Sequence, residues 1–190
     1  MRFAIFASGN GSNFESIVEH VKNQLISGEL VCLFTDQESA YVIERAKKHY
    51  IPYYVFPKTK ELSKAEYEAH ILNFLKAEEI ELIILAGYMR IIGSTLLKAY
   101  PNRILNLHPS LLPNFPGKQG IYDAFHSEVM ETGITIHLVD NGIDTGPIIF
   151  QKSLERNEEE TLEELEKRIH SLEYMYYPKI IADFIRENEK

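Results

Sequence analysis

The run Leu82-Ile83-Ile84-Leu85-Ala86 is apolar at five successive positions. A strand built from it presents an apolar surface on both sides and needs cover on both, which a parallel sheet layered between helices supplies. The rest of the chain alternates short apolar runs with amphipathic stretches. Strands are expected at 2–7, 29–35, 52–56, 81–87, 103–108, 133–139 and 147–154, and helices at 13–25, 39–49, 64–78, 93–99, 120–131 and 161–186. The early strand-helix-strand-helix order predicts an α/β fold: an open, mostly parallel twisted sheet, Rossmann-like, with helices on both faces. The last two strands follow each other through a loop and are expected to be antiparallel. Residues 1–190 are expected to form one domain. The final helix opens with the capping-box pair Thr161 and Glu164. Its apolar stripe runs Leu162, Leu165, Ile169, Leu172, Tyr176, and Pro178 is expected to break or kink it. The acidic run Glu158-Glu159-Glu160 reads as solvated charge favoured by the helix dipole.

Charge and composition exclude several roles. A net charge of −8 argues against a nucleic-acid partner, and an anionic ligand must be held by a local site. No apolar run approaches the roughly 20 residues that span a bilayer, so no membrane partner is expected. Met1–Ser8 is too short, and too soon followed by Gly9-Asn10-Gly11, for a signal peptide; the expected location is cytoplasmic. The single cysteine, Cys32, lies in the apolar run Leu30–Phe34 and reads as a small buried hydrophobe.

Chemistry concentrates in Asn106-Leu107-His108-Pro109-Ser110-Leu111-Leu112-Pro113, followed by Asp144 within Asp140-Asn141-Gly142-Ile143-Asp144-Thr145-Gly146-Pro147. Alternation puts Asn106 and His108 on one face at a strand's end, where open α/β sheets bind ligands. An amide donor beside an imidazole suits a developing oxyanion, and a carboxylate orients the imidazole and favours its protonated form.

Ser8-Gly9-Asn10-Gly11-Ser12-Asn13 follows the first strand and opens the first helix. Three readings stay open: a tight turn with a helix cap, a dinucleotide site, or a cradle for one phosphate group, which is preferred. Phe14 stands where a dinucleotide fingerprint needs its third glycine, although Asp36 could serve a ribose. The segment Met89-Arg90-Ile91-Ile92 leaves the apolar fourth strand and suits the edge of a flat heterocycle. Glu173 falls at the edge of the last helix's buried stripe, as a helix-flank ion pair or a receptor for a substrate ammonium. His20, His49, His70 and His126 read as surface or boundary residues in helices. His137, in an apolar strand, reads as a satisfied core histidine or a partner to the site. No histidine pair has zinc-helix spacing around a glutamate, and no metal is expected.

On these motifs, from Ser8 to Pro178, the chain resembles the phosphoribosylglycinamide formyltransferases, the folate-dependent formyl-transferring family of purine synthesis. The Asn106-to-Pro113 run with the downstream Asp144-Thr145-Gly146-Pro147 carries the resemblance to formyltransferases, and the Gly9–Asn13 loop narrows it to this branch. The resemblance implies 10-formyltetrahydrofolate as formyl donor and glycinamide ribonucleotide as acceptor. It implies catalytic roles for Asn106, His108 and Asp144. It places Gly11, Ser12 and Asn13 on the ribonucleotide phosphate and Glu173 on the ribonucleotide. It places Lys64, Met89, Arg90, Ile91, Ile92, Asp140, Asn141, Gly142 and Ile143 around the folate. Lys64 stands where the family often carries arginine, and loses a bidentate fork. Tyr174 stands where many members carry histidine, and Lys118-Gln119 replaces a histidine-containing loop. The implied protein is a monomer or homodimer. The expected chemistry is direct amine attack on the formyl carbon, with Asn106 and a protonated His108 holding the oxyanion. Rival readings are a formyl-folate hydrolase, a methionyl-tRNA formyltransferase and a non-catalytic nucleotide-binding module.

Overall fold

The structure, a computed structural model, describes residues 1–157 and 159–189. Glu158, one of the acidic run, and Lys190 lie outside the described residues. Seven strands form one sheet: β1 (Arg2–Phe6), β2 (Glu29–Thr35), β3 (Tyr53–Val55), β4 (Leu82–Leu85), β5 (Ile104–His108), β6 (Glu131–Leu138) and β7 (Ile148–Glu155). The helices are α1 (Ser12–Lys22), α2 (Val42–His49), α3 (Lys64–Ala77), α4 (Ser94–Ala99), α5 (Gly120–Phe125) and α6 (Leu162–Asn188). The strand order is β3-β2-β1-β4-β5-β6-β7. The first five strands are mutually parallel, β6 runs antiparallel to β5, and β7 antiparallel to β6.

Strand alternation divides the core into two layers. Phe3 and Ile5 of β1, Ile84 of β4, and Leu105 and Leu107 of β5 pack with Phe14 and Ile17 of α1 and with Ile169, Tyr177 and Ile181 of α6. Ala4, Phe6, Ile83, Leu85 and Ile104 face the other way, onto Tyr67, Ile71 and Leu75 of α3 and Leu96 of α4. The apolar β4, fully buried between β1 and β5, is the expected central strand. Because Leu105 and Leu107 belong to the first layer, Asn106 and His108 share the second face with Ile104. The chain leaves β1 toward β2 on one side, while β4 and β5 lie on the other. The crevice between the ends of β1 and β4 is therefore the switch point at which such sheets bind ligands.

Three local expectations need correction. The helix expected over 120–131 stops at Phe125. The Ser127 hydroxyl donates to the Ala124 carbonyl, and Arg156 Nη1 donates to the carbonyls of Ala124, Ser127 and Val129, so the helix end is satisfied from outside. Glu131 then already belongs to β6. Pro178 does not break α6, which runs through it to Asn188. Its missing N–H would have met the Tyr174 carbonyl, and the Ser16 hydroxyl of α1 donates to that oxygen instead, at 3.3 Å. The buried stripe of α6 is also rotated from the expected one, to Leu165, Ile169, Glu173, Tyr177, Ile181 and Ile185. Glu173 sits in its middle rather than at its edge. The capping box of Thr161 and Glu164 is formed as expected.

Candidate active site

The loop after β1 enters α1 through Gly11, in a left-handed conformation at φ 76°. A Cβ there would sit 2.3 Å from Val42 Cγ2, so glycine is required twice over, by conformation and by space. Gly11 offers no side-chain cap, and the first turn of α1 keeps its N–H groups for another acceptor. Arg45 of α2 fixes this loop from behind, with Nε donating to the Asn10 carbonyl at 2.8 Å and Nη2 to Asn10 Oδ1 at 2.7 Å, and it also pairs with Glu15. Asn13 Nδ2 donates to Glu173 Oε2 at 2.9 Å, and His170 Nδ1 meets the same oxygen at 2.8 Å. Glu173 is buried at 4% exposure, and hydrogen bonding to it raises the His170 imidazole above its usual range. Asn13 Oδ1 is buried with no protein partner.

Asp36 is turned inward. Its carboxylate is buried and accepts from the Ser8 hydroxyl at 2.6 Å, from Arg90 Nε at 2.9 Å and from Gln37 Nε2 at 3.0 Å. The Ser8 hydroxyl in turn accepts the Met89 N–H at 2.9 Å. The possible ribose carboxylate is thus an internal brace tying the loop after β1 to the segment after β4. His49, expected near the surface, is buried between Lys22 and Glu15, and burial pushes its imidazole below the usual range.

Asn106, His108 and Asp144 converge. Asp144 enters its turn at φ 55°, the left-handed region that the Gly/Asn/Asp-rich turn accommodates. Its Oδ1 accepts from Asn106 Nδ2 at 3.4 Å, and its Oδ2 lies 3.4 Å from His108 Nδ1. The Gly117 N–H donates to Oδ2 at 2.7 Å. His108 Nε2 donates to the Phe115 carbonyl at 2.7 Å. Asp144 favours the protonated form of His108, as expected, but burial opposes it and is the larger effect. Desolvation pushes the His108 imidazole below its usual range; the Phe115 carbonyl and Asp144 pull it upward without outweighing that cost. Burial alone would raise the Asp144 carboxyl, but the hydrogen bonds its oxygens accept, that of the Gly117 N–H foremost, bring it below the usual carboxylate range. His137, directly opposite Asn106 in the β5–β6 ladder, joins the cluster with Nε2 3.1 Å from Asn106 Nδ2.

One cavity of about 810 Å³ gathers these groups. Gly11, Ser12, Asn13, Glu173, Met89, Arg90, Ile91, Ile92, Asn106, His108, Asp140, Gly142, Ile143 and Asp144 all line it. Lys64 and Asn141 are not in its wall. Lys64 lies in the first turn of α3 with its stem over Gly93, and Asn141 is exposed at the tip of its turn. The wall also includes His137, His170, Arg45 and Lys118. His170 was readable as a helix neighbour one turn before Glu173, whereas His137 needed the strand register. Among the described residues no group of three or more His, Cys, Asp or Glu side chains is placed to hold a metal ion, and no helix is long and apolar enough to cross a membrane.

The formyl transferase family matches residues 1–181. The phosphoribosylglycinamide formyltransferase of Bacillus subtilis is 50% identical over 190 residues, covering 100% of this chain and 97% of that protein. The crystal structure of glycinamide ribonucleotide transformylase 1 from Geobacillus kaustophilus superposes with a TM-score of 0.94 at 46% identity, covering 96% of this chain and 97% of the other. That of phosphoribosylglycinamide formyltransferase from Bacillus halodurans does so with a TM-score of 0.94 at 45% identity, over 97% and 95% of the two chains. Sheet order, converging polar groups and near full-length similarity agree, and the chain belongs to the formyl transferase family.

Proposed function

We propose that this protein transfers the formyl group of 10-formyltetrahydrofolate to the primary amine of glycinamide ribonucleotide, in purine synthesis. The observation that carries this reading is the convergence of Asn106, His108 and Asp144 in a cavity that also contains the uncapped first turn of α1. That turn, with the Ser12 and Asn13 side chains, suits the ribonucleotide phosphate. Glu173, held by Asn13 and His170, stands beside it for the rest of the ribonucleotide. The Met89–Ile92 segment and the turn through Asp140, Gly142 and Ile143 suit the folate heterocycle, with Leu85 and Val139 as apolar wall.

In this reading the amine nitrogen bonds to the formyl carbon, whose carbonyl electrons move to oxygen. The tetrahedral oxyanion takes hydrogen bonds from Asn106 and His108. The Asn106 donor faces Asp144 in the free enzyme at 3.4 Å, the long end of a hydrogen bond, so a closer oxyanion competes well for it; His108 Nε2–H is committed to the Phe115 carbonyl, so its Nδ1, 3.4 Å from Asp144, donates only in the imidazolium form. Burial disfavours the His108 cation in the free site, so the ring takes up a proton from solvent as negative charge develops on the formyl oxygen, which offsets that cost, and returns it to solvent when the oxyanion collapses. Collapse re-forms the carbonyl and breaks the bond to the folate nitrogen. The proton lost by the amine reaches that nitrogen through Asp144 and a water. No covalent enzyme intermediate is needed. Incubation with both substrates, followed by mass spectrometry, should yield formylated ribonucleotide; free formate with unmodified ribonucleotide would instead identify a hydrolase.

A further inference from the structure

His137 is 2% exposed and sits in β6 directly opposite Asn106. Its Nδ1 lies 2.8 Å from the Leu138 carbonyl, which can only accept, so Nδ1 carries the ring's hydrogen. Its Nε2 lies 3.1 Å from Asn106 Nδ2 and 3.6 Å from Asp144 Oδ1. An amide nitrogen can only donate, so Nε2 accepts. The second hydrogen of the same amide nitrogen points to Asp144 Oδ1 at 3.4 Å. We propose that His137 is a positioning residue for Asn106: as the neutral ring with its hydrogen on Nδ1, it fixes which end of the Asn106 amide faces the reaction centre.

The opposite orientation is disfavoured at both contacts. It would set the Asn106 carbonyl oxygen against the Asp144 carboxylate and against the Nε2 lone pair. Asp144 cannot maintain the correct orientation alone, because the oxyanion competes with it for the Asn106 N–H. His137 has no such competitor. It holds one amide hydrogen while the other passes from carboxylate to oxyanion, sparing a reorientation during the reaction. This inference rests on the functional reading above and adds a residue that acts through Asn106.

Two measurements test it. In the free wild-type enzyme, ¹⁵N NMR of the His137 ring should show a protonated Nδ1 and an unprotonated Nε2. A proton on Nε2 overturns the proposal. His137→Leu should lower kcat by about tenfold or more, the scale of losing a group that orients a catalytic one. Both KM values and the melting temperature should stay close to wild type. His137→Gln, whose amide oxygen can replace Nε2 as acceptor, should recover most of the rate. Wild-type kcat in His137→Leu also overturns the proposal. If the leucine variant fails to fold, the ring tautomer and the glutamine variant decide. If the wild-type enzyme transfers no formyl group, the functional reading fails, while the ring tautomer still decides whether His137 holds the Asn106 amide.

Discussion

The half of the sheet formed by β3, β2, β1 and β4 and the half formed by β5, β6 and β7 contribute to the cavity by opposite means. The parallel half offers backbone, with the uncharged side chains of Ser12 and Asn13 beside it. Gly11 turns the chain into an uncapped helix, Arg45 and Asp36 brace the loop from behind, and Met89–Ile92 leaves β4 along the cavity wall. The antiparallel half offers side chains: Asn106 and His108 from β5, His137 from β6, and Asp144 from the turn between β6 and β7. Backbone groups do not titrate, and a helix N-terminus attracts an anion at any working pH. The groups at β5 and β6 have polarity and protonation set by burial and by one another. Recognition and chemistry are thus separated along one sheet edge, and each half should be damageable without the other.

The largest separation is expected at Asn106 and His108. Asn106→Ala and His108→Ala should each lower kcat by about a hundredfold or more, the cost of losing one oxyanion donor. Calorimetric binding of the ribonucleotide should be unchanged, and a matching loss of its affinity would erase the distinction between the halves. Gly11→Ala should act in reverse. The added Cβ meets Val42 Cγ2 at 2.3 Å, and φ 76° disfavours any side chain. Ribonucleotide affinity should fall sharply and the melting temperature should drop, with folate binding retained. Calorimetry and thermal denaturation check both. Ser12→Ala and Asn13→Ala should weaken ribonucleotide binding by about tenfold, the scale of one lost hydrogen bond to a charged group, and folate binding less. Equal losses for both ligands would show that the loop supports the whole cavity.

The smallest effect is a titration. Asp144 pulls the His108 imidazole upward against burial. Asp144→Asn removes that charge, so the ring's pKa should fall further and the neutral form should persist to lower pH. NMR titration of the His108 ring in both proteins reads the change. An unmoved pKa would confine Asp144 to ordering its turn and relaying the proton.

What sequence revealed and what it concealed follows from how far each cause reaches. β4 was legible because burial on both faces leaves an unbroken apolar run. Asn106 and His108 were placed on one face by alternation within a single strand. The Pro178 expectation failed because relief comes from Ser16, on another helix. The end of α5 depends on Arg156, across the chain from it. Glu173, four residues after Ile169, reads as the edge of a stripe drawn through Leu172 and Tyr176; the stripe is rotated onto it in the structure, and Asn13 and His170 make the burial of its carboxylate tolerable. The place of His137 depends on the antiparallel register that sets it against Asn106, which no local pattern states. Lys64, with its stem over Gly93, and Asn141, exposed in its turn, lie outside the cavity wall; family likeness gives a position in the chain, not the direction of a side chain.

The central claim is that the two halves serve one reaction, in which the ribonucleotide held by the parallel half is the nucleophile for the formyl group poised at the antiparallel half. The most direct test is the spectrophotometric rate of tetrahydrofolate release from 10-formyltetrahydrofolate, measured with and without glycinamide ribonucleotide. Release should require the ribonucleotide and saturate with it. Equal release in its absence would contradict the claim and make water the acceptor.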